Sequence, residues 1–227
     1  VACLVGSEMC IRDRLNIIAP AFDIQAACTG FIYAMSVADN YIRNGMSTNT
    51  LIIGSEKYSN ILDWKDRSTC VLFGDGAGAV VLSADSKEGI ISSHIHADGQ
   101  YNDLLSVEGN HIKMKGNEVF KVAVNTLSKL VDETLDKNNM DKSSIDWLVP
   151  HQANLRIIKA AAKKLSLPLE QVVVTVDDHA NTSAASIVLL EKSVLALPPD
   201  GLDSSRTNPS LGSFAFAASF GTTTRTV

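Results

Sequence analysis

No stretch of this 227-residue sequence approaches the ~18 consecutive apolar residues that a membrane-spanning helix requires. Cysteine is scarce. Cys3, Cys10, Cys28 and Cys70 stand far apart with no C-x-x-C pair, which excludes a zinc pattern and the dense framework of a small secreted domain. Free thiols in a reducing compartment are expected, and with them a cytoplasmic protein. An excess of basic charge is missing too: 20 Lys plus Arg stand against 25 Asp plus Glu, for a formal net charge of −5. A general nucleic-acid binder should be basic, so that class is disfavoured. No basic segment precedes the short apolar run Val1-Ala-Cys-Leu-Val5, so this run is not expected to be a secretory signal. Apolar residues themselves are not lacking. At 45% hydrophobic and 20% charged, the composition excludes global disorder and fits a globular chain of one large or two small domains.

Residues 1–14 end in Met9-Cys-Ile-Arg-Asp-Arg14, with neither helical nor strand periodicity, and are read as a non-native leader. Beyond them strands and helices alternate. Strands are predicted at Phe22–Ala27, Leu51–Ile53, Val71–Phe73, Ala79–Leu82, Gly89–Ile95, Trp147–Val149 and Gln171–Val176. Helices are predicted at Thr29–Asn44, Asn117–Asn138, Asn154–Leu165 and Thr182–Leu197. The segment 99–116 reads as loop with an edge strand, and 198–227 as an irregular, altered tail. This order implies an α/β domain with a parallel or mixed sheet.

Three strand-to-helix junctions carry chemically useful side chains, and such junctions are where α/β proteins place their sites. Cys28 lies in Ala26-Ala-Cys-Thr-Gly30, where the positive end of a helix dipole is expected to lower the thiol pKa. A buried packing cysteine is the alternative, at about even weight on local sequence. His151 follows a strand end in Val149-Pro-His-Gln-Ala-Asn154, and Asn181 sits in His179-Ala-Asn-Thr-Ser-Ala184. Cys, His and Asn at three such junctions can converge on one crevice. His94, His96, His111 and His179 take structural readings. Gly74-Asp-Gly-Ala-Gly78 precedes a strand rather than a helix, so it is a tight glycine turn with close packing and not a phosphate loop. On the helix from Asn154, Arg156, Lys159 and Lys163 share one face, with Lys164 beside them and Ile158, Ala161, Ala162 and Leu165 opposite. A solvated face is the ordinary reading of such a stripe. On an acidic chain it also suits an acidic macromolecular partner.

Taken together, Ala27-Cys28-Thr29-Gly30-Phe31, Arg67 with Phe73-Gly-Asp-Gly-Ala-Gly78, Gly116-Asn-Glu-Val-Phe120, Trp147-Leu-Val-Pro-His151-Gln-Ala-Asn154-Leu-Arg156 and Asn181-Thr-Ser-Ala-Ala-Ser186 strongly resemble the β-ketoacyl-[acyl-carrier-protein] synthase III family over about residues 15–195. The resemblance implies an α/β thiolase-like fold, layered α-β-α-β-α from two similar halves. Residues 15–98 would be the remainder of the first half with the nucleophile, 99–197 the second half, and 198–227 the altered tail. It implies an acyltransferase that condenses an acyl-CoA, acetyl-CoA in the first instance, with malonyl-loaded acyl carrier protein to start fatty-acid synthesis. Cys28, His151 and Asn181 would be catalytic, with His151 and Asn181 both donating to the malonyl thioester oxygen. Coenzyme A contacts are implied at Arg67, Asn117 and Asn154, and carrier-protein docking at Lys121, Arg156, Lys163 and Lys164. The family is homodimeric and needs no cofactor, acyl-CoA being a substrate; neither nucleic acid nor membrane is a partner. The family also places a βαβα section ahead of the cysteine strand, where this chain has at most 20 residues, so the first half is expected to be incomplete. Two alternatives stand beside the condensing enzyme: a truncated, inactive homologue that retains carrier-protein binding, and, more weakly, a papain-like cysteine hydrolase.

Overall fold

The computed structural model describes residue 12, residues 14–86 and 89–189, and the backbone of 214–217. The leader 1–14 and the tail 198–227 therefore lie mostly outside the described residues. So does the second half of the predicted helix 182–197; its described half, 182–189, is not an α-helix but contains a 3₁₀ segment, Ser183–Ile187.

A 3₁₀ turn at Ala27–Thr29 leads directly into helix α1, Gly30–Arg43. Strand β1, Asn49–Glu56, pairs antiparallel with β2, Gly76–Ser83, from Asn49 opposite Ser83 to Glu56 opposite Gly76. A hairpin follows, β3 Leu105–Glu108 with β4 His111–Met114, and then the long helix α2, Gly116–Lys137. Strand β5, Trp147–Pro150, precedes α3, Leu155–Leu165, and a short helical turn α4, Val176–His179. The last described strand, β6 at Phe214–Ala217, lies parallel to β5.

Two apolar cores meet at β5. Successive side chains of a strand point to opposite faces. Leu148 accordingly joins a core built from α2 and α3, with Leu127, Val131, Ile158, Ala161 and Leu165. Its neighbour Val149 joins a second core with Phe31 and Ala38 of α1, Ile52 of β1, Ala184 and Ile187. Both residues are essentially inaccessible to water. Burying a side chain of this size is worth ~1.5–3 kcal/mol, so β5 is tied from both sides, and its end is a fixed place from which to project His151.

Several expectations need correction. In Phe22–Ala27 the residues up to Ala26 are loop, since no described strand lies alongside to complete a ladder, and Ala27 already begins the 3₁₀ turn. Gly89–Ile95 is loop for the same reason. In Gln171–Val176 only Val172 forms a bridge, to Leu148, before the chain turns into α4. Val71–Phe73 is turn, with a single bridge from Phe73 to Asn181. Gly76 and Gly78 are not in a turn; they lie within β2. The close packing expected of them is present and has a specific object. A Cβ on Gly78 would stand 2.6 Å from Val188 Cγ2, one on Gly76 2.8 Å from Thr182 Cγ2, and one on Gly54 3.0 Å from Ala185 Cα. These glycines let the segment 182–188 lie flat on the β1–β2 ribbon.

Candidate active site

Cys28 occupies the middle of the 3₁₀ turn rather than the first residue of α1. The turn is closed by Ala26, whose carbonyl accepts from the Thr29 amide at 3.1 Å and from Thr29 Oγ1 at 2.7 Å. Closing it puts Ala27 in the left-handed region at φ 44°. Ala180 and Ser183, on either side of Asn181, are left-handed as well, at φ 58° and 51°. Each such residue without glycine's freedom costs about 1 kcal/mol or more, and strain of this kind gathers at functional sites.

His151 and Asn181 are almost wholly buried, at 3% and 6% exposure, and Cys28 is 2% exposed. The segment Asn181–Ser186 brings them together. Asn181 Oδ1 accepts from the Ser183 amide at 3.0 Å, which commits the side-chain oxygen and leaves the NH₂ end as the donor. The Asn181 backbone is clamped to the turn before β2: its amide donates to Leu72 O at 2.9 Å and its carbonyl accepts from Gly74 N at 3.0 Å. His151 Nδ1 lies 2.7 Å from Ser186 Oγ. Ser186 Oγ also accepts from the Gln152 amide at 3.1 Å and donates to Ser183 O at 2.7 Å. Ser183 Oγ is close enough to Cys28, Glu56 and Tyr58 to lower their pKa values, without a well-formed hydrogen bond to any of them. Glu56, at the end of β1, accepts from the Ala184 amide at 3.3 Å.

Gln152 holds the loop behind His151. Its side-chain nitrogen donates to Pro150 O at 2.9 Å and Val173 O at 3.0 Å. Its oxygen accepts from Thr175 N at 2.8 Å and Val176 N at 3.2 Å. All four hydrogen-bonding positions of a buried amide are thereby filled.

The electrostatics correct one expectation. The Cys28 thiol is pushed up from 9.0 to about 11 rather than down. Burial is the main cause, since a thiolate there would lose its water, and the Glu56 carboxylate adds repulsion. Desolvation outweighs the helix dipole, so the resting group is a thiol. Burial also pushes Glu56 and Tyr58 upward. It lowers His151 from 6.5 to about 4, so the ring is neutral at pH 7.

None of the remaining expected residues takes part in the hydrogen bonds just described. Arg67 is exposed in a turn and Asn117 is exposed in the first turn of α2. Asn154 is the N-cap of α3, its Oδ1 accepting from Ile157 N at 2.9 Å, and so has a structural task of its own. Arg156, Lys159, Lys163 and Lys164 are all exposed on α3. The Arg156 guanidinium sits 5.4 Å over the Phe120 ring, and Lys164 Nζ donates to Asn125 at 2.9 Å. Lys121, exposed and one turn before Asn125 on α2, borders the same basic surface. His94 contacts Ser92 and His96 pairs with Glu133, as structural readings require. Sequence reasoning passed over Glu56, Tyr58, Gln152 and Ser183. Their signal is weak, because each acts through the backbone or through another side chain.

Two family profiles match the chain: 3-oxoacyl-[acyl-carrier-protein (ACP)] synthase III over residues 22–99 and the C-terminal part of the same enzyme over 135–195. A β-ketoacyl-[acyl-carrier-protein] synthase III of Thioalkalivibrio sulfidiphilus is 58% identical over 201 residues, covering 83% of this chain and 61% of the relative. One of Aliivibrio fischeri is 60% identical over 177 residues, covering 74% of this chain and 56% of the relative. The crystal structure of the Aquifex aeolicus synthase III superposes with a TM-score of 0.80 at 43% identity, covering 83% of this chain and 62% of that one. That of Pseudomonas aeruginosa gives 0.81 at 38%, covering 85% and 64%. The chain thus spans about three fifths of the length of the curated relatives it matches. Its α/β fold is thiolase-like, and with both profiles matched in order the chain belongs to the 3-oxoacyl-[acyl-carrier-protein] synthase III family.

Proposed function

We propose that the whole protein to which this chain corresponds is a β-ketoacyl-[acyl-carrier-protein] synthase III, an acyltransferase that condenses an acyl-CoA with malonyl-loaded acyl carrier protein and needs no cofactor. The observation that carries this reading is the convergence of Cys28, His151 and Asn181 on the single segment Asn181–Ser186. Cys28 is the nucleophile: its sulfur takes the acyl group from coenzyme A and holds it as a thioester. Malonyl carrier protein then loses carbon dioxide, and enolate charge develops on the malonyl thioester oxygen. Asn181 supplies a neutral donor for that charge, and an amide cannot titrate away. His151, neutral at pH 7, supplies the group that can carry a proton. The carbanion attacks the acyl-cysteine carbon, the C–S bond to Cys28 breaks, and the sulfur leaves as a thiolate that takes up a proton from solvent.

Residues 15–98 form the nucleophile-bearing part of the first thiolase-like half and 99–197 form the second half, to whose strand β5 the segment Phe214–Ala217 adds a parallel neighbour. Arg67, Asn117 and Asn154 contact coenzyme A, with Asn154 doing so from its capping position. The exposed Lys121, Arg156, Lys163 and Lys164 receive the acidic carrier protein next to the helix that begins behind His151. The protein acts as a homodimer in the cytoplasm; among the described residues no helix is long and apolar enough to cross a membrane.

The test is to incubate the protein with acetyl-CoA and map the adduct by peptide mass spectrometry. Acetyl on Cys28 is expected. Acetyl on Cys70, or on no cysteine of a folded full-length form, refutes the assignment.

A further inference from the structure

Gln152 grips the chain on both sides of Asn181. Strand β5 meets the segment that follows α3 at Leu148, which bridges Val172 and accepts from Val173 N at 2.9 Å. Just past the end of β5, the Gln152 side chain continues that connection in place of backbone. Its nitrogen donates to Pro150 O at the strand end and to Val173 O across from it. Its oxygen accepts from Thr175 N and Val176 N, where α4 begins. α4 runs to His179 and leads into Asn181. On the far side of Asn181, the Gln152 backbone amide donates to Ser186 Oγ at 3.1 Å. The residue is 1% exposed, so water does not stand in for a bond that is lost. The amide also fits in one orientation. Turned over, it would set its NH₂ group against two N–H donors and its oxygen against two carbonyls.

We propose that Gln152 is a positioning residue for the condensation step, holding the Asn181 amide in fixed register with the end of β5. This deepens the condensing reading above and, for its catalytic consequence, rests on it. Two clamps place Asn181. One is its own backbone, bonded to Leu72 and Gly74 of the nucleophile-bearing part. The other is Gln152, which fixes the chain as it enters at Thr175 and Val176 and again as it leaves at Ser186. Asn181 Oδ1 is committed to the Ser183 amide, so the NH₂ group is aimed by the backbone on either side of it. A donor to a developing charge works only in good alignment. Releasing the approach therefore costs rate, although Gln152 touches no reacting atom. Acylation of Cys28 is spared, because the turn that carries Cys28 is closed by the bonds between Ala26 and Thr29.

The experiment uses the full-length protein and two variants. Gln152→Met keeps the length of the side chain and removes all four of its bonds. Gln152→Glu keeps the shape and, as a carboxylate, the two acceptor bonds, but it faces Pro150 O and Val173 O without a donor; protonated, it regains one. Two rates are read: acetyl loading of Cys28 from acetyl-CoA, by mass spectrometry, and release of carbon dioxide from malonyl carrier protein. A misplacement of ~1 Å can cost about 10²-fold in rate, so decarboxylation should fall by that order in Gln152→Met and by less in Gln152→Glu. Loading should stay near the unmodified value in both. Measured against the unmodified protein at each pH, decarboxylation by Gln152→Glu should recover as the pH falls from 8 to 6, and that by Gln152→Met should not. A side chain that only filled space would leave the two variants alike, with ratios flat in pH. Unchanged decarboxylation in either folded variant, equal losses in loading and decarboxylation, or a flat ratio for Gln152→Glu overturns the proposal. If Gln152→Met does not fold, Gln152→Glu decides. Failure of the unmodified protein to take acetyl at Cys28 is a separate outcome: it removes the condensing reading and this consequence with it, whereas unaltered variants of a protein that loads Cys28 remove the positioning role alone.

Discussion

Alkylation of Cys28 offers a direct measure of the balance between burial and the helix dipole. The thiol is raised from 9.0 to about 11. Below pH 9 that leaves roughly a hundredfold less thiolate than in an unfolded chain, about 2.7 kcal/mol against ionisation. Iodoacetamide reacts with the thiolate, so its rate at Cys28, followed by peptide mass spectrometry between pH 6 and 11, should rise tenfold per pH unit and level only near pH 11. In guanidinium the same residue should react at least ~100-fold faster at pH 8, since access is gained as well as ionisation. Glu56→Gln keeps an acceptor for the Ala184 amide but removes the negative charge. Burial, the larger cause, stays, so the profile should move only modestly toward lower pH, with roughly three- to fivefold more thiolate. A native Cys28 whose rate levels below pH 8.5 would refute the reasoning, because the helix terminus would then outweigh desolvation.

Three further outcomes are expected. His151 is lowered from 6.5 to about 4, so between those values the unfolded chain binds the extra proton; stability rises with pH through that window and is lost on acidification, by about 3 kcal/mol at most. Urea midpoints at pH 7, 5.5 and 4.5 should fall in the unmodified chain and fall less in His151→Gln; equal slopes would contradict the burial. Reversing Arg156 or Lys163 to Glu should raise the apparent KM for malonyl carrier protein and weaken its salt dependence while leaving acetyl-CoA nearly unaffected, and unchanged carrier-protein kinetics would reduce the stripe to a solvated face. Gly78→Ala should destabilise the chain by about 1–3 kcal/mol in urea titration, because its Cβ would come 2.6 Å from Val188 Cγ2; an unchanged midpoint would show that segment 182–188 is not pressed onto β2.

Periodic and local features were legible in the sequence. The stripe Val119, Ala123, Leu127 and Val131 marked α2, and Ile158, Ala161, Ala162 and Leu165 marked the buried face of α3. Cys28, His151 and Asn181 were found because each follows a strand-like run and opens a turn, a pattern carried within a few residues. Strands were less legible. Phe22–Ala27 and Gly89–Ile95 have β-type composition, but a strand exists only where a second one supplies the ladder, and among the described residues these have none. Motif positions alone also could not give the ionisation of the site. The helix-terminal place of Cys28 argued for a lowered pKa; the enclosure around it, closed by Glu56, Tyr58 and Ser183 from distant parts of the chain, reversed the sign. The partners of His151 were equally hidden. Ser186 lies 35 residues away and Val173, which anchors Gln152, 21. Residue type and spacing are written along the chain, whereas desolvation and hydrogen-bond direction depend on which distant groups enclose a side chain, and packing alone determines that.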